Sequence, residues 1–545
     1  MSTDWQDKAQ RKREELASKI PPEWRLSSKL LEKANSTDSL LGIPRESGIL
    51  SDREIIITEN SDATGLLERL TSGELTASEV ATAFCKRAAI AQQLTCCLTE
   101  IFFDQAFARA QELDRQFAKT GKPVGPLHGI PISLKDSYNV AGVHTTLGYV
   151  SFLDRPPLTF NSPMVDILLR AGAVIYVKTH LPQTMMTADS HTNVFGRTRN
   201  PHSRYLTAGG SCGGEGALIA MRGSILGVGT DVAGSVRIPS LCCGTVGFKA
   251  SVGRLPFAGQ TPPGRIGLAG GIAVALGPLC TSTRDAELFF RTVVSSQPED
   301  MDDNSLGFPY IEPPQVKPQL TIGILPEDPA YPLHPSMYRT ITTAARKLGA
   351  AGHCIVNLSP DDIPSLAEIC ALASRFFNMD PDRTPLRNVK NGGEPFIPSL
   401  HMIYNLESDA PEPNLRQLYD LNVAKAQAAA KIRQAWLKSG VDVILGPAYQ
   451  SCAPLHDTYG NAVYTVVWNL VDYPACVIPL GRANKASDAE FVRDVVYTPE
   501  YHPERVEGAP CHVQVIGRRL KDEVLLQHAK VIERVLAEDG EVAHT

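Results

Sequence analysis

The stretch Gly209-Gly-Ser-Cys-Gly-Gly-Glu-Gly-Ala217 is followed, a short way along the chain, by Gly229-Thr-Asp-Val-Ala-Gly-Ser-Val-Arg-Ile-Pro239. Each holds one serine, Ser211 and Ser235, among glycines that let backbone N–H groups approach a reacting atom closely. Upstream, Gly129-Ile-Pro-Ile-Ser-Leu-Lys-Asp136 carries Lys135 at the end of a short apolar run. Any one of these segments alone reads equally well as a tight turn or a close helix–strand contact. All three in this order point to a backbone-lined site at the heart of the fold.

Outward from that site, short apolar runs recur at Ile130–Leu134, Val174–Val177, Leu320–Leu325, Val441–Leu445 and Val513–Ile516. They predict buried strands. Helical spacing fills 163–171, 336–349, 415–438 and 522–537, and Thr76-Ala-Ser-Glu79 is a capping-box signature that opens a helix over 77–93. Buried strands alternating with helices indicate an α/β sheet protein with helices on both faces. Residues 4–19, dense in charge, predict a surface helix packed on the main body. The stretch 297–318 reads as a long connection, and 379–414 as a second irregular region.

The composition fits a large folded core: 43% apolar and 21% charged residues in a chain of 545. A net charge of −6 argues against a nucleic-acid or membrane-surface partner. No apolar run approaches the roughly 18 residues of a membrane span, and Met1-Ser-Thr-Asp-Trp-Gln-Asp-Lys is too polar for a signal peptide. The twelve cysteines contain no C-x-x-C pair and read as reduced thiols. A soluble cytoplasmic protein is expected.

Other motifs compete for the same residues. Gly209-Gly-Ser-Cys-Gly213 matches the nucleophile elbow G-x-S-x-G, but that motif needs a buried strand before it, and Pro201–Thr207 is polar and turn-like. The phosphate-loop pattern is absent, and Gly227-Val-Gly-Thr-Asp-Val232 lacks the last glycine of the dinucleotide fingerprint. Lys119-Thr-Gly121 has no S-x-x-K partner and reads as a loop. Cys212 as a nucleophile needs a base, the nearest in sequence being His202. Cys242-Cys243 read as small core residues, and no metal-ligand spacing appears.

The three blocks resemble the amidase signature family, whose core runs roughly GGSSGG-x-GAL, then GTD-x-GGS-x-R-x-P, with an upstream G-x-P-x-S-x-KD. Ser211 and Ser235 stand 24 positions apart, the spacing that family keeps. Further likeness lies at Gly172-Ala-Val-Ile175, Pro182-Gln183, Gly253-Arg-Leu-Pro256 and Trp468-Asn469, and covers roughly residues 45–535. Within the family it is strongest to fungal acetamidases. The resemblance implies a single large mixed β-sheet flanked by helices on both faces. It frames 1–44 as an N-terminal helical extension packed on the core, 45–535 as the amidase domain and 536–545 as a tail.

The same resemblance implies roles. Ser235 becomes the acyl-accepting nucleophile, and Ser211, preceded by a cis bond to Gly210, the bridging serine. Lys135 becomes the base. Backbone N–H groups of Val232, Ala233, Gly234 and Ser235 become oxyanion donors, and Met185 a lining residue of the substrate pocket. A free lysine cannot act as a base near neutral pH, but burial lowers its pKa by up to several units. Two serines and a neutral lysine suffice for a hydrolase without histidine, metal or cofactor. Asp231 and Arg237 read as braces of the loop.

Two residues depart from the family pattern. Cys212 replaces a second serine, and Ala233 replaces a glycine in the oxyanion loop, where a methyl group forbids positive φ. An amidase is the expected activity, on a small-molecule amide. An acetamide-like substrate and a larger amide from a specialised pathway both remain open, as do an acyltransferase or esterase on the same fold, a catalytically weak binding protein, and a homodimer.

Overall fold

A computed structural model of the chain describes residues 4–268, 271–314, 317–404, 406 and 412–537. Among them, eleven strands form one sheet. They are β1 (Leu98–Ile101), β2 (Pro131–Lys135), β3 (Val174–Thr179), β4 (Leu226–Asp231), β5 (Val246–Lys249), β6 (Ala275–Cys280), β7 (Thr321–Ile324), β8 (Cys354–Asn357), β9 (Val443–Gly446), β10 (Ala475–Arg482) and β11 (Pro510–Ile516). Their order across the sheet is β1-β3-β2-β4-β6-β5-β10-β11-β9-β7-β8. Strand β2 runs parallel to β3 and β4, and β7 parallel to β8 and β9. The remaining pairings, such as β4 with β6 and β10 with β11, are antiparallel. The sheet is therefore mixed, as expected.

The five apolar runs form β2, β3, β7, β9 and β11. The helices follow at Pro163–Arg170, Pro335–Ala350, Leu415–Ser439 and Asp522–Ala537. Six strands had no clear signal, and two of these show why. Strand β4 reads Leu226-Gly-Val-Gly-Thr-Asp231, and β6 reads Ala275-Leu-Gly-Pro-Leu-Cys280, so glycine and proline break the apolar run. Those glycines make room. A Cβ on Gly229 would lie 2.8 Å from Cys212 Sγ, and one on Gly227 would overlap the Glu215 carboxyl. The wholly buried helix Gly213–Ala220 can therefore lie directly on β4.

The helix opened by Thr76 spans Ala77–Thr95, slightly longer than expected, with the reciprocal Thr76–Glu79 capping box formed. Lys119-Thr-Gly121 is not a loop. Lys119 and Thr120 end the helix Phe103–Thr120, and Gly121 caps it with φ 65°, a left-handed conformation glycine adopts without strain. The described residues of the stretch 297–318 form a connection that holds the 3₁₀ turn Pro298–Asp300; residues 315 and 316 lie outside the described residues. The region 379–414 holds more order than expected, a helix at Thr384–Asn391 and a turn at Pro398–Met402; residues 405 and 407–411 lie outside the described residues.

The charged N-terminal segment forms the helix Asp4–Ser18, which buries Ala9, Lys12 and Leu16. Lys12 Nζ meets Glu100 Oε1 on β1 at 2.6 Å, and Trp24 packs on Phe103 with ring centroids 5.8 Å apart. Leu536 and Ala537 close the last helix, and the rest of the expected tail, 538–545, lies outside the described residues. Among the described residues no helix is long and apolar enough to cross a membrane.

Candidate active site

Adjacent parallel strands β2 and β4 end side by side, and their carboxyl ends carry Lys135 and Thr230-Asp231. That edge is where open α/β sheets present their ligands. Lys135 is fully buried. Its Nζ donates to Ser211 Oγ at 2.6 Å and to Thr230 Oγ1 at 2.7 Å. Burial holds the lysine pKa below its ordinary value of 10.5, although the nearby Cys212, Asp231 and Glu215 work against the shift. Among the described residues, no carboxylate forms a direct ion pair with it.

Ser211 sits at the entrance to helix Gly213–Ala220, after a cis Gly210–Ser211 bond. The strand-like approach of a nucleophile elbow is absent, because 201–208 is irregular. Thr187 and Ala188 pack on Gly210, and Ser190 Oγ donates to Gly209 O at 2.9 Å while accepting from Gly213 N at 3.1 Å. The segment from Thr187 to Ser190 thus runs along the Ser211 loop. Met185 is half-buried on a turn with φ 59°, after Thr184 at φ 65°, and packs against the cluster of Leu147, Tyr149, Phe152, Leu181 and Val389.

The loop after β4 brings Ser235 to the same place. Cys212 N donates to Ser235 O at 3.2 Å, which ties the two serine segments together. Exposure rises from Lys135 at 0% through Ser211 at 2% to Ser235 at 8%, so Ser235 is the most accessible of the three. Asp231 folds the loop over its own carboxylate. It accepts from Gly234 N at 2.7 Å, Val236 N at 3.1 Å and both Arg237 Nε and Nη2 at 3.0 Å. Burial opposes ionisation of Asp231, yet the Arg237 guanidinium outweighs it and holds the carboxyl well below the usual range. Both residues are braces, as expected.

Three of the loop's carbonyls, those of Asp231, Ala233 and Gly234, are each held by a donor. Asn469 Nδ2 donates to Asp231 O at 2.9 Å, Thr465 Oγ1 to Ala233 O at 2.7 Å, and Ile238 N to Gly234 O at 2.6 Å. Gly234 N–H is spent on Asp231 and is not open to a ligand in this structure. The N–H groups of Val232, Ala233 and Ser235 have no acceptor among the described residues.

A family model for amidases matches residues 79–526. The chain belongs to the amidase signature family. It is an amide hydrolase of that family, with the family's mixed α/β sheet. It is 39% identical over 547 residues to an amidase of Gibberella moniliformis, covering 98% of this chain and 99% of that one. To an acetamidase of Emericella nidulans it is 38% identical over 558 residues, with 98% and 99% covered. Among solved structures, fatty acid amide hydrolase superposes with a TM-score of 0.91 at 30% identity, over 98% of this chain and 96% of that one.

The two departures from the amidase pattern take on local meaning. Gly234 has φ 128°, whereas Ala233 is not among the residues of positive φ. The loop needs its glycine at 234, and a β-carbon at 233 fits an ordinary conformation. Cys212 is fully buried, and burial raises its thiol pKa. His202 is no base for it: Nε2 pairs with Cys243 O at 2.9 Å, Nδ1 with Arg482 at 3.1 Å, and burial lowers the imidazole to about 4. Cys242 and Cys243 are core residues, fully buried.

Four residues near the site carried no assigned role in the sequence. Thr230, between Gly229 and Asp231 in the quoted motif, shares Lys135 with Ser211. Glu215, four residues after Ser211, is fully buried; Ser133 Oγ donates to its Oε2 at 2.5 Å, and burial pushes its pKa up to about 8. Thr465 and Asn469 come from a helix more than two hundred positions away. Only Asn469 had a signal, through Trp468-Asn469.

Proposed function

We propose that this amidase hydrolyses R–CO–NH₂ with water to R–COOH and NH₃ through an acyl-enzyme on Ser235. The observation that carries the reading is a buried lysine bonded to Ser211 at 2.6 Å, beside a serine loop with three open N–H groups. With its amine neutral, Lys135 accepts the Ser211 proton while Ser211 takes the proton of Ser235. Ser235 Oγ then bonds to the carbonyl carbon. The oxygen gains the charge and meets the N–H groups of Val232, Ala233 and Ser235. As the C–N bond breaks, the proton returns through Ser211 to the leaving nitrogen, and ammonia departs. Water repeats the cycle: its oxygen bonds to the acyl carbon and its proton enters the same path, then the bond from that carbon to Ser235 Oγ breaks and Ser235 regains its hydrogen as the acid departs.

Met185, on the turn two residues before Thr187, lines the acyl pocket in this reading. The likeness to an acetamidase favours a small acyl group. In this reading the activity belongs to the cytoplasm, consistent with twelve cysteines that read as reduced thiols.

Incubation with a fluorophosphonate probe, followed by peptide mapping and assay of ammonia from simple amides, tests the assignment. Labelling of Ser235 with ammonia release is expected. Lys135→Ala should lose about 10²–10⁴-fold in turnover, the usual worth of a general base. Undiminished amide hydrolysis by that variant would remove the lysine from the mechanism.

A further inference from the structure

The helix Val463-Tyr-Thr-Val-Val-Trp-Asn-Leu470 is buried along its whole length. Tyr464 sends its hydroxyl away from the serine loop, donating to Tyr331 O at 2.8 Å. Thr465 and Asn469, one turn apart and so on one face, both reach the loop after β4. Thr465 is fully buried and Asn469 nearly so. Space is tight here, since a Cβ on Gly234 would overlap Thr465 Oγ1.

The consequence follows from the planarity of the peptide unit. A C=O and the next residue's N–H point in opposite directions in one rigid plane. Pinning the Asp231 carbonyl through Asn469 therefore fixes the direction of the Val232 N–H. Pinning the Ala233 carbonyl through Thr465 fixes the plane that hands Gly234 N–H to Asp231. The Ala233 N–H, which belongs to the plane between these two, is left with little freedom. A hydroxyl has one proton; its other acceptor, Ala462 O just before the helix, lies at 3.2 Å against 2.7 Å for Ala233 O.

We propose that Thr465, with Asn469 one turn on, is a positioning residue that aims the Val232 and Ala233 N–H groups at the oxyanion. The assignment rests on the Ser235 acyl-enzyme reading. Thr465 touches no reacting atom in it and acts through the Ala233 carbonyl. Valine has nearly the same shape and would fill the same space, so a hydroxyl in this apolar helix is explained by its bond to the loop, not by packing. Asn469 also supports Arg237, at 2.7 Å from Nη2, so Thr465 is the cleaner place to probe.

The decisive variant is Thr465→Val. Loss of a whole oxyanion donor costs about 100- to 1000-fold in kcat, so misaimed donors should cost about 10- to 100-fold, with KM within about two-fold. Affinity for a trifluoromethyl ketone, which forms a tetrahedral oxyanion on the enzyme, should fall in parallel, and Thr465→Ser should restore both to within about three-fold. Unchanged kcat and unchanged ketone affinity in the valine variant would overturn the proposal. So would a raised KM at full kcat, which is the mark of a pocket contact. If the valine variant does not fold, Thr465→Ala and Thr465→Ser are compared by the same two readouts, and equal values for the two would overturn it. Fluorophosphonate labelling of wild type separates the levels: failure to label Ser235 removes the acyl-enzyme reading, whereas labelling with a silent Thr465→Val removes only the positioning role.

Discussion

At Gly234 the backbone has φ 128°, and its missing side chain leaves the space that Thr465 occupies. Gly234→Ala should lower kcat by about 100-fold or more, because both the conformation and the contact are lost where donors must be aimed. Ala233→Gly one position earlier should change kcat by less than about three-fold, since alanine already sits in an ordinary conformation. Steady-state kinetics of the two variants side by side check the pair. Lys135 carries the pH dependence. Burial lowers its pKa from 10.5, and the active form is the neutral amine, so kcat/KM should rise with pH through a value below 10.5. Lys135→Arg, which stays charged, should lose that limb together with the activity.

Between elements, the contact of helix Gly213–Ala220 with β2 and β4 is polar where it is deepest. Glu215 meets Ser133 of β2, and Ser133 Oγ reaches Ser224 Oγ at 2.8 Å. Burial raises the Glu215 pKa from 4.5 to about 8. In this window the folded protein keeps a proton that the unfolded chain releases. The group's contribution to stability is therefore full below about 4.5 and lost as pH rises to about 8. Glu215→Gln should flatten this dependence, so thermal melts at about pH 5 and about pH 8 should differ less than in wild type. A difference as large as that of wild type would mean that the carboxyl is already ionised in the fold. The glycines of β4 belong to the same interface. The sequence leaves them open between a tight turn and a close helix–strand contact, because their purpose, space for Cys212 and Glu215, is set by a partner that local pattern does not describe.

Across the whole molecule, the N-terminal helix is tied to the sheet edge by charge as well as by packing. Glu100 is 1% exposed and meets Lys12 at 2.6 Å and Lys19 at 3.3 Å. Replacing both lysines by methionine leaves a buried carboxylate unpaired, which costs about 3–5 kcal/mol. A lower melting temperature with unchanged kcat/KM is expected, because the pair lies on β1, with β3 between it and the Lys135 strand. Loss of activity at a temperature where the variant is folded would tie the extension to catalysis. Much was legible along the chain: the helices at 163–171, 336–349, 415–438 and 522–537, five strands rich in apolar residues, and the motifs of Ser211, Ser235 and Lys135. Each is local, being a periodicity, a cap or a run of glycines that neighbouring residues impose on one another. What waited for the folded molecule was non-local. The strand order, the Lys135–Ser211 contact, the engagement of Gly234 N–H by Asp231 and the approach of Thr465 and Asn469 all depend on segments far apart in sequence. Hydrogen-bond geometry within a few tenths of an ångström is set by packing of the whole sheet, and no spacing of residue types along one strand or helix encodes it.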